Sequence, residues 1–300
     1  MKILLVGGTG LIGSSLKKEL IDKGYSVHIL SRKESNDTQT YLWNINDGYI
    51  DLKAFEGISG IINLTGANIA EKRWSKKRKE VLYNSRIDST RLLYETIKKN
   101  TINIKFFINA SAIGYYGVSN SNIEFKEKDP VGEDFLAKLC ADWEQEALNF
   151  NTIKVRTVLI RTGIVMTKSG GALEKMKLPI NFRVLPIFGN GKQYISWIHI
   201  DDLIGIFISA INNEKIIGPY NAVAPEYTTY TEFNYKISEV LKKKSIPIKV
   251  PTFLLNLIFG ELAQTLTRGN KISSEKIREE KFKFQYSNLQ NALSNLLLNK

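Results

Sequence analysis

Short, wholly apolar runs alternate along this chain with stretches in which apolar positions recur every three or four residues, the patterns of buried strands and of amphipathic helices. Residues 3–6 are aliphatic at every position and read as a strand buried on both faces. After Gly7-Gly8 the period changes. Ile12, Leu16 and Leu20 repeat every fourth residue, with Lys17, Lys18, Asp22 and Lys23 on other faces of a helix. Residues 26–30 give a second strand past Gly24, and 60–64, 105–111 and 157–161 give further buried strands. Trp43 and Ile45 fit a short strand in the polar stretch between. Helices are predicted over 86–97 and 134–148, the first of the two preceded by Ser75 as a cap. A strand-like run follows over 195–200, then a helix over 203–211 capped by Asp201-Asp202. This alternation predicts an α/β fold, a Rossmann doubly wound parallel sheet, followed by a small, mostly helical region on the substrate side.

Beyond Asn221 the pattern is largely helical. Thr229-x-x-Glu232 is a capping box for a helix over 230–241. Pro247 and Pro251 bracket an extended segment, and 253–266 reads as one strongly apolar helix. Residues 267–300 mix helix and turn, with Phe282 and Phe284 available for packing. The expected division is a nucleotide-binding domain over 1–222, with 165–195 on its substrate side, and a capping region over 223–300.

The glycines after the first strand carry the chemistry. Gly7 permits a tight turn, Gly10 presents no side chain to a pyrophosphate, and Gly13 lets the helix approach the strand. The free amides around Thr9, Gly10, Leu11, Ile12 and Gly13 then face the phosphates. Strand, glycine turn, helix and second strand in that order are the context a dinucleotide site requires. The end of the second strand selects the cofactor. Ser31-Arg32-Lys33 stands where an NAD site places Asp or Glu, so NADP(H), with its 2′-phosphate, is expected over NAD(H), although Glu34 and Asp37 stand nearby. The turn Thr65-Gly66-Ala67 would lie beside the glycine loop. Leu64, Gly66, Ala67 and, on the next helix, Arg86 are read as further cofactor contacts.

Ser111, Tyr115 and Tyr116 follow the strand over 105–111, at the sheet edge where ligands bind in open α/β folds. Ser111 and Tyr115 are the candidate catalytic pair, since a hydroxyl can hold a substrate oxygen and a phenol can exchange a proton. Arg73 and Trp74, in the densest basic cluster, together with Gln193 and Trp197, are candidate substrate contacts. His199, between isoleucines, is read as structural. Lys168-Ser169-Gly170-Gly171 reads as a flexible turn, and 188–193 as another.

Composition narrows the classes. The 300 residues, 43% hydrophobic, suit a large-cored globular protein, and no apolar run approaches a membrane span. The first residues lack a signal-peptide layout, so a cytoplasmic protein with no membrane partner is expected. The single cysteine excludes an internal disulfide, and two histidines leave little for a metal site. The net charge of +12 suits phosphate-bearing ligands; the lysines are dispersed without a nucleic-acid motif, so no nucleic acid is expected. A small-molecule substrate is expected. A homodimer is allowed, and the sequence does not fix the oligomeric state.

These motifs resemble the extended short-chain dehydrogenase/reductases. Gly7-Gly8-Thr9-Gly10-Leu11-Ile12-Gly13 matches their fingerprint, and Ser196-Trp197-Ile198-His199-Ile200-Asp201-Asp202-Leu203 their late strand and helix. Asn63-Leu64-Thr65-Gly66-Ala67-Asn68-Ile69-Ala70, Lys72-Arg73-Trp74, Ser111-Ala112-Ile113-Gly114-Tyr115-Tyr116-Gly117 and Cys140-Ala141-Asp142-Trp143-Glu144 resemble one atypical, epimerase-family branch. Members of that branch share a C-terminal domain, which 247–300 resembles. The resemblance implies Ser111 as the family's serine. It also exposes a loss: counting back from Glu144, Leu136 and Cys140 stand where active members carry Tyr-x-x-x-Lys, and Lys138 points about 200° away on the helix. Tyr115 or Tyr116 would have to substitute. An oxidoreductase or epimerase-like enzyme for a small polar substrate, nucleotide-sugar-like in chemistry, is the expected function; a non-catalytic NADP(H)-binding sensor is the alternative.

Overall fold

The computed structural model describes residues 1–119, 122–168 and 170–298. The turn expected at 168–171 includes Ser169, which lies outside the described residues, as do the last two positions of the C-terminal region. In chain order β1 (Lys2–Val6), β2 (Ser26–Ser31), β3 (Thr40–Asn44), β4 (Tyr49–Ile50), β5 (Gly60–Asn63) and β6 (Phe106–Ala112) precede the strands Arg156–Thr162 and Gly218–Ala222. Together they form one eight-stranded sheet, ordered Gly218–Ala222, Arg156–Thr162, β6, β5, β1, β2, β3, β4. Every neighbouring pair is parallel except β3 with β4.

The sheet is covered on both sides, which is why Ile3, Leu4, Leu5 and Val6 are all fully buried. α1 (Leu11–Asp22) and the helix Ile200–Asn212 close one face over Ile3, Leu5, Leu16 and Leu203. α2 (Lys76–Lys99) and α3 (Phe135–Leu148) close the other over Leu4, Val6, Leu93 and Phe107. From β1 the chain runs outward to β4 and then returns to β5 on the opposite side. That reversal opens a crevice beyond the C-terminal ends of β1 and β5, where ligands bind in such sheets.

Two expected caps are present: Ser75 accepts from the Arg78 amide, and Thr229 with Glu232 forms the reciprocal box; Asp134 caps its helix as well, accepting the Ala137 amide. The cap expected from Asp201-Asp202 is not. His199 Nδ1 accepts the Asp201 amide at 3.1 Å, and its ring stacks on Tyr286 at 3.8 Å, a structural role. Asp202, nearly fully enclosed, instead accepts the amides of Gln285 and Tyr286 at 2.7 and 3.0 Å and so pins the C-terminal segment. The run expected as one strand over 195–200 is two pieces. Tyr194–Ile195 pairs antiparallel with Thr228–Thr229, and Trp197–His199 pairs parallel with Ile164–Met166.

The apolar helix expected over 253–266 also divides. It runs Thr252–Phe259, breaks at Gly260 with φ +60°, and resumes as Ala263–Thr267. Glycine suits the break because its φ is positive, a conformation that side chains rarely adopt. The chain then returns to the Rossmann body. Lys271–Ile272 pairs with Glu124–Phe125, Phe282 abuts Gly205, and Leu289–Leu298 packs with Tyr230–Val240.

Candidate functional site

The glycine loop has the geometry its sequence requires. Gly7 takes φ +81° and packs on the Leu64 carbonyl, and Gly10 N bonds Gly7 O at 3.1 Å. A Cβ on Gly13 would stand 2.2 Å from Gly7 O, so α1 sits as close to the β1 turn as backbone allows. A Cβ on Gly10 would meet only Gly7 O, at an ordinary 3.4 Å. Nothing in the protein demands glycine at position 10; a pyrophosphate against the backbone does. α1 has Gly10 as its N-cap, with no side chain satisfying the first amides and no acidic residue in the first turn. Thr9, Gly10 and Leu11 are exposed, Ile12 is partly so, and the free N–H groups suit an anion. The loop fits a dinucleotide.

At the end of β2, Ser31 Oγ donates to Lys33 O at 2.8 Å and accepts the Lys33 amide, shaping a turn that leaves Arg32 exposed. Asp37, the nearby acid, is occupied elsewhere. It accepts the Gln39 amide, Thr40 Oγ1 and, at 3.4 Å, Lys17 Nζ. The Gln39 amide is the main reason its carboxyl titrates below the usual range. Arg32 is thus exposed just past the end of β2, with no carboxylate bound to it among the described residues.

Leu64 N bonds Val6 O, which sets the β5 loop against the glycine loop, as expected. Arg86 lies beneath that loop. It donates to Ala67 O at 3.2 Å and Leu82 O at 3.0 Å, and a Cβ on Gly66 would stand 2.8 Å from its guanidinium carbon. Arg86 thus supports Gly66 and Ala67 from behind.

Past β6 lies a buried polar network that single-residue reasoning missed. Ser111 Oγ donates to Glu144 Oε1 at 2.6 Å. Arg161 clamps the same carboxylate with two bonds of 2.8 Å, from Nε and Nη2, and both side chains are almost wholly enclosed. Arg161 Nη1 reaches Tyr116 OH at 2.9 Å, and that phenol donates to Asn221 Oδ1 at 2.7 Å. Glu127 accepts the Asn221 amide at 2.8 Å. Burial alone would lower the Arg161 pKa, but Glu144 and then Tyr116 outweigh it, and the guanidinium is held charged. Burial pushes the Tyr116 phenol up, so Tyr116 is a neutral hydrogen-bonding link. The available signals were Arg161 inside an otherwise apolar strand and Glu144 on the face of α3 shared with Leu136 and Cys140, at successive i, i+4 positions.

This corrects part of the catalytic expectation. Ser111 is 4% exposed and its hydroxyl donates to Glu144, so in this structure it anchors the network rather than standing as a free hydroxyl. Tyr115 differs. It is half-buried, its ring lies 3.4 Å from the Arg161 guanidinium carbon and edge-on to Tyr116, and its hydroxyl has no hydrogen-bond partner among the described residues. β6 lies two strands from β1, about 10 Å at the usual spacing. Gly114 packs against Leu136 and Cys140, the positions of the lost Tyr-x-x-x-Lys. Burial, then the Glu144 charge, pushes the Cys140 thiol up to about 12, so it supplies no charge in place of a lysine.

The four candidate substrate residues serve mainly to join segments. Trp197 is fully enclosed, in the apolar cluster with Tyr230, Phe233 and Leu293. Trp74 donates to Ile69 O at 2.8 Å, sits edge-on to Phe135 and packs with Leu82, Leu139 and Leu262. Arg73 donates to Leu257 O at 3.2 Å. Gln193 donates to Phe188 O and Leu266 O and is 5% exposed. Their amphipathic side chains signalled a buried contact in the sequence, and that contact is the C-terminal segment.

A doubly wound sheet with this glycine loop defines a dinucleotide-binding protein of the extended short-chain dehydrogenase/reductase type. The chain belongs to the NAD-dependent epimerase/dehydratase family, which matches residues 3–222, and a domain of unknown function, DUF1731, matches 250–296. An epimerase family protein of Staphylococcus aureus is 36% identical over 98% of both chains. Among solved structures, the human epimerase family protein SDR39U1 (isoform 2) with NADPH is similar over 100% of both chains, with TM-score 0.90 and 28% identity. A nucleoside-diphosphate sugar epimerase from Corynebacterium glutamicum follows at TM-score 0.81 and 26% identity, covering 99% of this chain and 58% of that one.

Proposed function

We propose that this protein is an NADP(H)-dependent oxidoreductase or epimerase-like enzyme for a small polar substrate of nucleotide-sugar-like chemistry, with Tyr115 as its proton-transfer group. The observation that carries the reading is the Tyr115 hydroxyl, unpartnered past the end of β6 while its ring is held by Arg161. When bound, the nicotinamide supplies hydride chemistry. The chain's own groups bind and orient. The α1 amides take the pyrophosphate, Arg32 takes the 2′-phosphate, and Leu64 to Ala67 line the crevice. Ser111, Glu144 and Arg161 fix Tyr115 so that its hydroxyl exchanges a proton with the reacting oxygen. The relatives support this: the human protein was solved with NADPH, and the Corynebacterium one is a nucleoside-diphosphate sugar epimerase.

Titration by nicotinamide fluorescence tests the cofactor. NADPH is expected to bind at least about tenfold more tightly than NADH, a difference of about 1.4 kcal/mol, and Arg32→Ala to erase the preference. Equal affinities in the native protein would remove the NADP(H) reading. The catalytic role is tested by Tyr115→Phe in a hydride-transfer screen over sugar nucleotides and small carbonyls. Turnover is expected to fall about 10²- to 10⁴-fold with NADPH affinity unchanged. Undiminished turnover would exclude Tyr115.

A second reading, a non-catalytic NADP(H) sensor, is favoured by Leu136 and the neutral Cys140 on α3. Tight NADPH binding without turnover across the panel would establish it.

A further inference from the structure

The helix Thr252–Phe259 is apolar around nearly its whole circumference, a pattern that belongs in a fully buried setting. Its inner side is accounted for. Leu255 is 2% exposed, Phe259 packs with Trp74 and Leu262, and Thr252 and Asn256 border a cavity of about 500 Å³ shared with Gln264 and Arg268. Its outer side is bare. Phe253 and Leu257 are 73% and 69% exposed, and Leu254 and Ile258, the adjacent i, i+4 row, 38% and 55%. The strand Ile246–Val250 enters this helix through Pro251 and exposes Ile246 and Ile248. Where that strand begins, Ile246 N bonds Arg183 O, next to the exposed Phe182. An apolar run of this extent marks a contact surface.

Charge indicates what covers it. Residues 240–260 contain Lys242, Lys243, Lys244 and Lys249 and no carboxylate, in a chain of net charge +12. A second copy of the chain would meet this face across a two-fold axis and bring like-charged lysines together. A lipid surface supplies both an apolar layer and, with anionic headgroups, the complementary charge. We infer that the outer face of the helix Thr252–Phe259, with the lysines of the turn and strand that precede it, docks the protein on an anionic bilayer. The helix lies in the interface plane; none among the described residues is long and apolar enough to cross a membrane. The expectation of no membrane partner rested on the lack of a spanning segment and did not address a face of this kind.

Flotation of the purified full-length protein with phosphatidylcholine vesicles, and with vesicles containing one-quarter phosphatidylglycerol, tests the inference. The bound fraction is expected to rise at least about fivefold with the anionic lipid and to fall with salt. The double variant Phe253→Ser/Leu257→Ser is expected to lose binding while keeping its melting temperature and NADPH affinity. The triple variant Lys242→Ser/Lys244→Ser/Lys249→Ser is expected to lose the preference for anionic vesicles. Absent binding at low salt, or binding unchanged in the double variant, would overturn the inference. So would a native dimer in sedimentation velocity that the double variant turns into monomer, since the face would then belong to a second copy.

Discussion

Glu144→Leu is expected to lower the melting temperature by roughly 10 °C. The substitution removes the carboxylate that Arg161 clamps with two bonds and to which Ser111 donates, and leaves a charged guanidinium 2% exposed. Breaking a buried pair from one side costs about 3–5 kcal/mol, because the surviving charge keeps its desolvation penalty without its partner. In a chain of this size each kcal/mol moves the midpoint by about 2–4 °C. Arg161→Met is expected to cost a similar amount from the other side. The double variant Glu144→Leu/Arg161→Met, with no orphaned charge, is expected to recover most of the loss. Differential scanning calorimetry on the three variants checks this. Single variants within 2 °C of the native protein would mean that the pair is hydrated in solution.

The second large effect separates two glycines of one motif. In Gly13→Ala the new Cβ would stand 2.2 Å from Gly7 O and 2.8 Å from Gly8 Cα, both backbone atoms that cannot rotate away. α1 must move off β1, at a cost of about 1–3 kcal/mol or more, and cofactor binding is expected to fall with stability. In Gly10→Ala the Cβ meets only Gly7 O at 3.4 Å, so the melting temperature is expected to stay native. NADPH affinity is nonetheless expected to drop by roughly a hundredfold, about 2.8 kcal/mol, since the methyl occupies the pyrophosphate position. Calorimetry alongside NADPH titration separates the two. A Gly10→Ala protein with native affinity would show that the pyrophosphate lies elsewhere.

The parts of the fold legible in the sequence are those set by local pattern. Ile3 to Val6 had to be buried on both faces, the Gly7-to-Gly13 spacing had to turn a strand into a helix, and Thr229 with Glu232 had to cap one. What escaped depends on residues brought together from afar. Ser111 and Glu144 are 33 positions apart, and Tyr116 and Asn221 are 105 apart. No periodicity encodes those bonds, so Ser111 resembled a free hydroxyl when its proton was already committed. Arg73, Trp74 and Gln193 were read as substrate contacts, and the structure gives each a partner within the chain, because the chemistry of such a residue does not say whether its partner is a substrate or a returning segment. The break at Gly260 falls at a single positive-φ glycine inside an otherwise continuous apolar run, so the period alone did not mark it.

The buried pair also bears on which side chain position 140 can hold. Cys140 lies within electrostatic reach of Arg86, Glu144 and Arg161. Cys140→Lys would place a further cation near both guanidiniums, where the one carboxylate in reach, Glu144, is already clamped by Arg161. Neutralising Arg161 first would strand Glu144 without a counter-charge. The Arg161–Glu144 pair and a lysine at position 140 therefore compete for one buried charge balance, and the present arrangement disfavours a cation there.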